Sequence, residues 1–220
     1  MTVKETIKLL NQGNPKDYGK YNKVLIIGHV EEMLEENEWR YMIRIKVKRN
    51  SDKYDLLYAE VKKVLVDRTI KKGDLVKITG AFTSAVLNGH KKSYITAKKI
   101  EFLEADDKSE DVNIICLRGF MCDKPYYREK RKSQKGEKNK KGISTFCLAV
   151  PRKVKRNDET DYIQCVAWKI DAALVKDLEL RQEILIYGRI EYREFEVKSQ
   201  LCKASINEVS IHQNQIVIIR

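Results

Sequence analysis

Two stretches of the chain, NKVLIIGHV from Asn22 and NIICLRGFM from Asn113, begin with asparagine, alternate apolar side chains and reach a glycine, Gly28 and Gly119, 91 residues apart. The likeness continues in order. MIRIKVKR (42–49) corresponds to TFCLAVPR (145–152), with Ile43, Ile45 and Val47 standing where Phe146, Leu148 and Val150 stand. DLLYAEVK (55–62) corresponds to DYIQCVAW (161–168), GDLVKITG (73–80) to QEILIYG closing at Gly188, and ITAKKIEFL to ASINEVSI. Period-two runs bounded by turn residues are strands, and the same series twice predicts two copies of one small β unit.

Each copy holds about five short strands, and IDAALVKDLEL (170–180) follows the third strand of the second copy with a helical pattern. KVLVDRTI is its shorter counterpart in the first. Five strands with a helix after the third is the order of an OB-fold barrel. The expected fold is therefore all-β, two tandem OB-fold five-stranded barrels with short helices; one large β-sandwich is the alternative. EADDKSED (104–111) is polar and acidic and reads as a linker. The expected organisation is a helical extension over 1–20, opened by the capping-box pattern TVKE, a first barrel over 21–105, a linker at 106–111 and a second barrel over 112–220.

Forty-four Lys+Arg against 32 Asp+Glu give a net charge of +12, which favours polyanionic partners, nucleic acid before a membrane surface. No apolar run is long enough for a membrane helix, and MTVKETIKLLNQGN lacks the apolar core of a secretory signal. Five cysteines without a CxxC pair point to reduced thiols and a cytoplasmic setting. His29, His90 and His212 lie far apart, no Cys/His spacing suggests zinc, and GHKKS (89–93) lacks the glycine spacing of a phosphate loop. No metal, no cofactor and no catalysis are expected. Asn88-Gly89 reads as a hairpin turn.

Within ETDYIQCVAW (159–168), Ile163, Cys165 and Ala167 share one face, fit for a core, and Tyr162, Gln164, Val166 and Trp168 the other. Rings opposite a complete apolar row call for an external use, the rival being that Trp168 packs on the helix from Ile170. REKRKSQKGEKNKKG (128–142) carries eight Lys+Arg and two Glu on a long hairpin arm. Arg128, Lys130, Arg131, Lys132, Lys140 and Lys141 on that arm, with Arg152 beyond it, are candidate phosphate contacts; a solvated loop is the alternative. Tyr126 and Tyr127 just before it are candidate stackers.

These residues carry a family resemblance. The series LRGFMCDKPYYRE, FCLAVPR, ETDYIQCVAWKIDAA and ILIYGRIEYREFE, over roughly 113–211, resembles the bacterial single-stranded DNA-binding protein family, and residues 22–103 do so more loosely through NKVLIIGHV and KKGDLVKITG. Tandem-barrel variants of that family are the nearest likeness. The resemblance implies sequence-tolerant binding and protection of single-stranded DNA in replication, recombination or repair. It makes Tyr162, Trp168 and Phe195 the base-stacking positions, with Tyr192 as helper. It implies a homodimer that presents four barrels. A protein-interaction module (a primosome or conjugation component) and RNA binding are the rival functions. The family's acidic tail has no counterpart in HQNQIVIIR, so recruitment of partners by that route is not expected.

The first copy departs from the pattern. Leu56 and Lys62 stand at the places of Tyr162 and Trp168, leaving Trp39 and Tyr58 as ring candidates. EEMLEENEW reads as an acidic loop that repels phosphate, yet Arg44, Lys46 and Lys48 line one face of the next strand. The first copy is expected either to grip the backbone or to build the oligomer.

Overall fold

The computed structural model describes residues 22–49, 51–87, 90–104, 110–129, 142–154, 157–197, 202–212 and 214–219. The first half contains β1 (Asn22–Glu36), β2 (Arg40–Lys48), β3 (Tyr54–Lys62), β4 (Leu75–Leu87) and β5 (His90–Leu103). The second contains β6 (Val112–Met121), β7 (Tyr126–Glu129), β8 (Gly142–Val154), β9 (Asn157–Trp168), β10 (Glu183–Val197), β11 (Cys202–Ile211) and β12 (Ile216–Ile218). Helix among the described residues is confined to α1 (Ile170–Val175) and a 3-10 turn at Lys63–Leu65.

Pairing repeats as the sequence does. In the first half β1 pairs antiparallel with β2 and β4, β2 with β3, and β4 with β5, while Ala59 and Glu60 of β3 meet Ile95 and Thr96 of β5 in parallel. In the second half β6 pairs with β8 and β10, β8 with β9, and β10 with β11, and β9 meets β11 in parallel at Cys165↔Val209. The halves join through an antiparallel β1–β6 ladder in which Val24 faces Ile115. Those two are 91 residues apart, the offset of the repeat, so the halves meet about a pseudo-two-fold axis through that pair.

The alternating rows supply the core. Ile43, Ile45, Val47, Leu57, Ala59 and Val61 are buried, as are Phe146, Leu148, Val150, Ile163, Cys165 and Ala167, and they belong to one continuous apolar cluster. Each fully buried large side chain is worth about 1.5–3 kcal/mol of transfer free energy. The two marker glycines allow close crossing: a Cβ on Gly28 would stand 2.6 Å from the Lys46 carbonyl oxygen, and one on Gly119 2.5 Å from that of Ala149.

Several expectations change. Among the described residues the second half has seven strands rather than five, because β7 and β12 are added. EEMLEENEW is no loop: Glu31 to Glu36 extend β1, held there by pairing with β2 and bent by two register shifts. The helix expected over 170–180 ends at Val175, although Leu178 beyond it is still buried. Near the C-terminus, β12 pairs with β10 at Ile184↔Ile218 and stands at the end of the strand order. Leu87 faces His90 across the expected Asn88-Gly89 turn, which itself lies outside the described residues, as do the expected extension over 1–20 and residues 106–109 of the linker.

Candidate nucleic-acid interface

The face of β9 opposite the core row is partly open. Tyr162 is 48% exposed, while Ile163 beside it is fully buried. Val166 breaks the pattern, being buried at 4% although it shares that face. Trp168 is half-buried: its Nε1 donates to Ser210 Oγ at 3.0 Å, and its ring stacks on His212 with centroids 5.7 Å apart and planes 8° from parallel. The helix from Ile170 is therefore not its main partner, and one ring face is already taken. Burial holds the His212 imidazole below its ordinary pKa and keeps that stack neutral near neutral pH.

β7 and β8 set further groups in register with β9. The row Arg128–Ile143–Trp168 runs across three strands, and Tyr126–Thr145–Val166 lies beside it. Cross-strand partners share a face, so Arg128 and Tyr126 stand on the side of Trp168. Tyr126 is 67% exposed and Arg128 is exposed. Tyr127 points the other way. It packs on the core over Gly142, whose Cβ would meet its ring at 2.6 Å, and Lys176 Nζ lies 5.5 Å from its centroid. Lys130, Arg131, Lys132, Lys140 and Lys141 lie outside the described residues.

Arg152 is drawn inward. Its Nη2 donates to Glu159 at 2.5 Å and its Nε lies 3.0 Å from the buried Asp161. Burial raises the Asp161 pKa, and the Ser84 N–H donates to Asp161 Oδ1 at 2.8 Å. Tyr192, in β10, is half-buried; its hydroxyl donates to Glu194 at 2.7 Å, and its N–H donates to Asp55 Oδ1 at 3.0 Å. Phe195 faces Ala204 within the β10–β11 ladder, and its side chain is outside the described residues.

On the first half, two of the three cations expected to face phosphate, Arg44 and Lys46, are ion-paired within the chain. Arg44 lies 3.1 Å from Glu32, Lys46 3.9 Å from Glu31, and Lys72 3.9 Å from the same Glu31. The β1 extension thus brings acid against the basic row, which a loop would not do. Arg44 also lies 5.4 Å from the Tyr58 ring centroid and Lys46 4.4 Å from that of Tyr54. Lys48 is exposed, and its N–H donates to Asp111. A groove of about 900 Å³ runs between this face and Tyr192 and Glu194 of the second half. Trp39, at the β1–β2 turn, is 74% exposed. Tyr54 and Tyr94 were missed: pairing of β2 with β3 sets Tyr54 against Lys46 within the first half, whereas the meeting of the halves brings Tyr94 to the second; Tyr94 carried the weak signal of an aromatic in the lysine-flanked run KKSYITAKK.

No group of His, Cys, Asp and Glu among the described residues is arranged to hold a metal ion, and no helix there is long and apolar enough to cross a membrane. No disulfide joins Cys116, Cys122, Cys147 and Cys165. Burial pushes the Cys116 thiol up to about 12 and raises Cys165 well above its ordinary value, so both are unreactive packing groups.

The model of the single-strand binding protein family matches residues 112–217. Among solved structures, the wild-type single-stranded DNA-binding protein from Thermus aquaticus and a deletion mutant of it are each similar at 15% identity with a TM-score of 0.62. Each covers 90% of this chain, with 93% of the wild type and 94% of the mutant covered in turn. At that identity the likeness is one of fold. A Plasmodium falciparum SSB complexed with ssDNA covers 52% of this chain and 99% of its own at 20% identity and a TM-score of 0.41, too low to carry an argument. Comparison with curated proteins gives no match.

Proposed function

We propose that this chain, a member of the single-strand binding protein family through residues 112–217, binds and protects single-stranded DNA without regard to sequence, in replication, recombination or repair. Each half acts as an OB-type barrel, and two chains associate to present four. Bases stack on Tyr162 and on the open side of Trp168, with Tyr126 and Phe195 extending the row. Arg128 and the lysines of the arm that follows hold phosphate. The carrying observation is the 48% exposure of Tyr162 on a strand whose opposite face is a finished core. Bases present flat faces whatever their identity, and duplex DNA hides those faces, so exposed rings select unpaired strands. The ion-paired cations of the first half make it the weaker partner in backbone contact.

Titration with oligo-dT, followed by tryptophan fluorescence, tests the reading. Quenching that weakens steeply with salt and is much poorer with duplex is expected. Equal affinity for duplex DNA overturns stacking as the mechanism.

A further inference from the structure

Tyr162 bonds directly to the first half. Its backbone N–H donates to Ser84 Oγ at 2.9 Å, and Ser84 on β4 faces Ser93 on β5, with Thr83 and Tyr94 as the adjoining pair. Tyr94 lines a cleft of about 340 Å³ together with Tyr58, Met42, Leu34 and, from the second half, Ile206. Burial raises the pKa of the Tyr94 hydroxyl, and the charges of Glu60, Arg152, Arg40 and Asp161 also act on it.

The cleft's chemistry selects what can enter. Arg40 is held by both acids of the cleft, 2.6 Å from Glu60 and 3.8 Å from Glu35, and only with Lys92 do two bases match two acids. A phosphate would have to break those pairs, whereas a neutral planar group would not. Asn207, 4% exposed, forms part of the wall and leaves its Oδ1 without a hydrogen-bond partner. A buried acceptor in that state is costly, and each nucleobase carries an N–H on its pairing edge. Lys92 lines the same cleft and is exposed, placed to meet a phosphate that stays outside.

We infer that the cleft between the halves takes one unpaired base of the bound strand, with Tyr94 and Tyr58 as its ring contacts and Lys92 as its phosphate contact. The strand then passes from Tyr162 across the β4–β5 hairpin into the junction, and the halves act as one surface. This rests on the single-strand reading above and adds a base site that neither half possesses alone.

Photo-crosslinking of the full chain to oligo-dT carrying 5-iodouracil, followed by peptide mapping, tests it beside affinity measurements. Crosslinks at Tyr94 or Tyr58, in addition to the Tyr162 face, are expected. Tyr94→Ala and Tyr94→Leu should each weaken oligo-dT binding about five-fold or more, the lower end for loss of one stacked base, and Tyr94→Phe should not. Tyr94→Leu keeps apolar bulk, so a melting curve like that of the wild type separates lost stacking from lost folding. Crosslinks confined to Tyr162 and its neighbours, with both ring-less variants binding normally, overturn the cleft site and leave the function standing. No single-strand binding by the wild type overturns both.

Discussion

Asp55 on β3 accepts the backbone N–H of Tyr192 on β10 at 3.0 Å, a bond from one half of the molecule to the other. The relation is returned: Asp161, at the matching place in the second half, accepts the N–H of Ser84 on β4 at 2.8 Å. Both carboxylates are fully buried. Asp55 also receives Arg49 at 2.5 Å and Arg189 of the second half, and Arg152 stands by Asp161 as Arg49 stands by Asp55. The two halves therefore clasp each other at two reciprocal points flanking the Val24↔Ile115 pair.

Removing one member of a buried charged cluster leaves the others uncompensated, at a cost of about 3–5 kcal/mol. Asp55→Ala strands two arginines and should lower stability by an amount in that range, read from urea unfolding. Asp55→Asn keeps an acceptor for Tyr192 and should cost less. A variant as stable as the wild type would mean that the clasp contributes nothing.

Gly119→Ala places a methyl 2.5 Å from the Ala149 oxygen and 2.9 Å from Leu148 Cγ. Overpacking of this kind costs about 1–3 kcal/mol. Thermal unfolding should show it, and Gly28→Ala, whose methyl meets the Lys46 oxygen at 2.6 Å, should show a similar loss.

That pair of glycines also marks how far the sequence could be read. Their shared offset and the alternating runs around them disclosed the repeat, the core rows and the order of strands, because a strand's side-chain period is local and needs no partner to be recognised. The acidic stretch after His29 misled for the complementary reason. Glu31 and Glu32 have weak strand propensity, and only the waiting edge of β2 turns them into strand.

Their ion pairs give a third prediction. Glu31→Gln with Glu32→Gln frees Arg44, Lys46 and Lys72 from the pairs they now make. Binding of oligo-dT at low salt should tighten, and the slope of log affinity against log salt should steepen by about 0.7 for each phosphate newly held. An unchanged slope would show that the first half holds no backbone.

His212 gives a fourth. Its folded pKa lies below the ordinary 6.5, because burial against Trp168 disfavours the cation. Between that lowered value and 6.5 the unfolded chain binds more protons than the fold, so stability falls as pH drops through this interval and the loss is complete below it. His212→Phe keeps a ring for Trp168 without the titration. The stability difference between wild type and variant should therefore change across that interval, in thermal melts run from pH ~7 downward. The buried Asp161 and Glu208, with raised values, contribute in the opposite sense and are common to both proteins, whereas Asp171, also raised, loses the His212 charge in the variant.

By itself the sequence determined two β units, their inward rows and the ring-bearing strand at 159–168. These follow from periodicity, charge and residue type, each of which acts over a few neighbouring residues. The tertiary structure decided which of those groups remain available. It turned Trp168 onto His212, drew Arg152 to Asp161, tucked Tyr127 over Gly142 and set Tyr94 at the junction of the halves. Such outcomes depend on strands far apart in the chain meeting at hydrogen-bond and van der Waals range, and no local pattern encodes those distances.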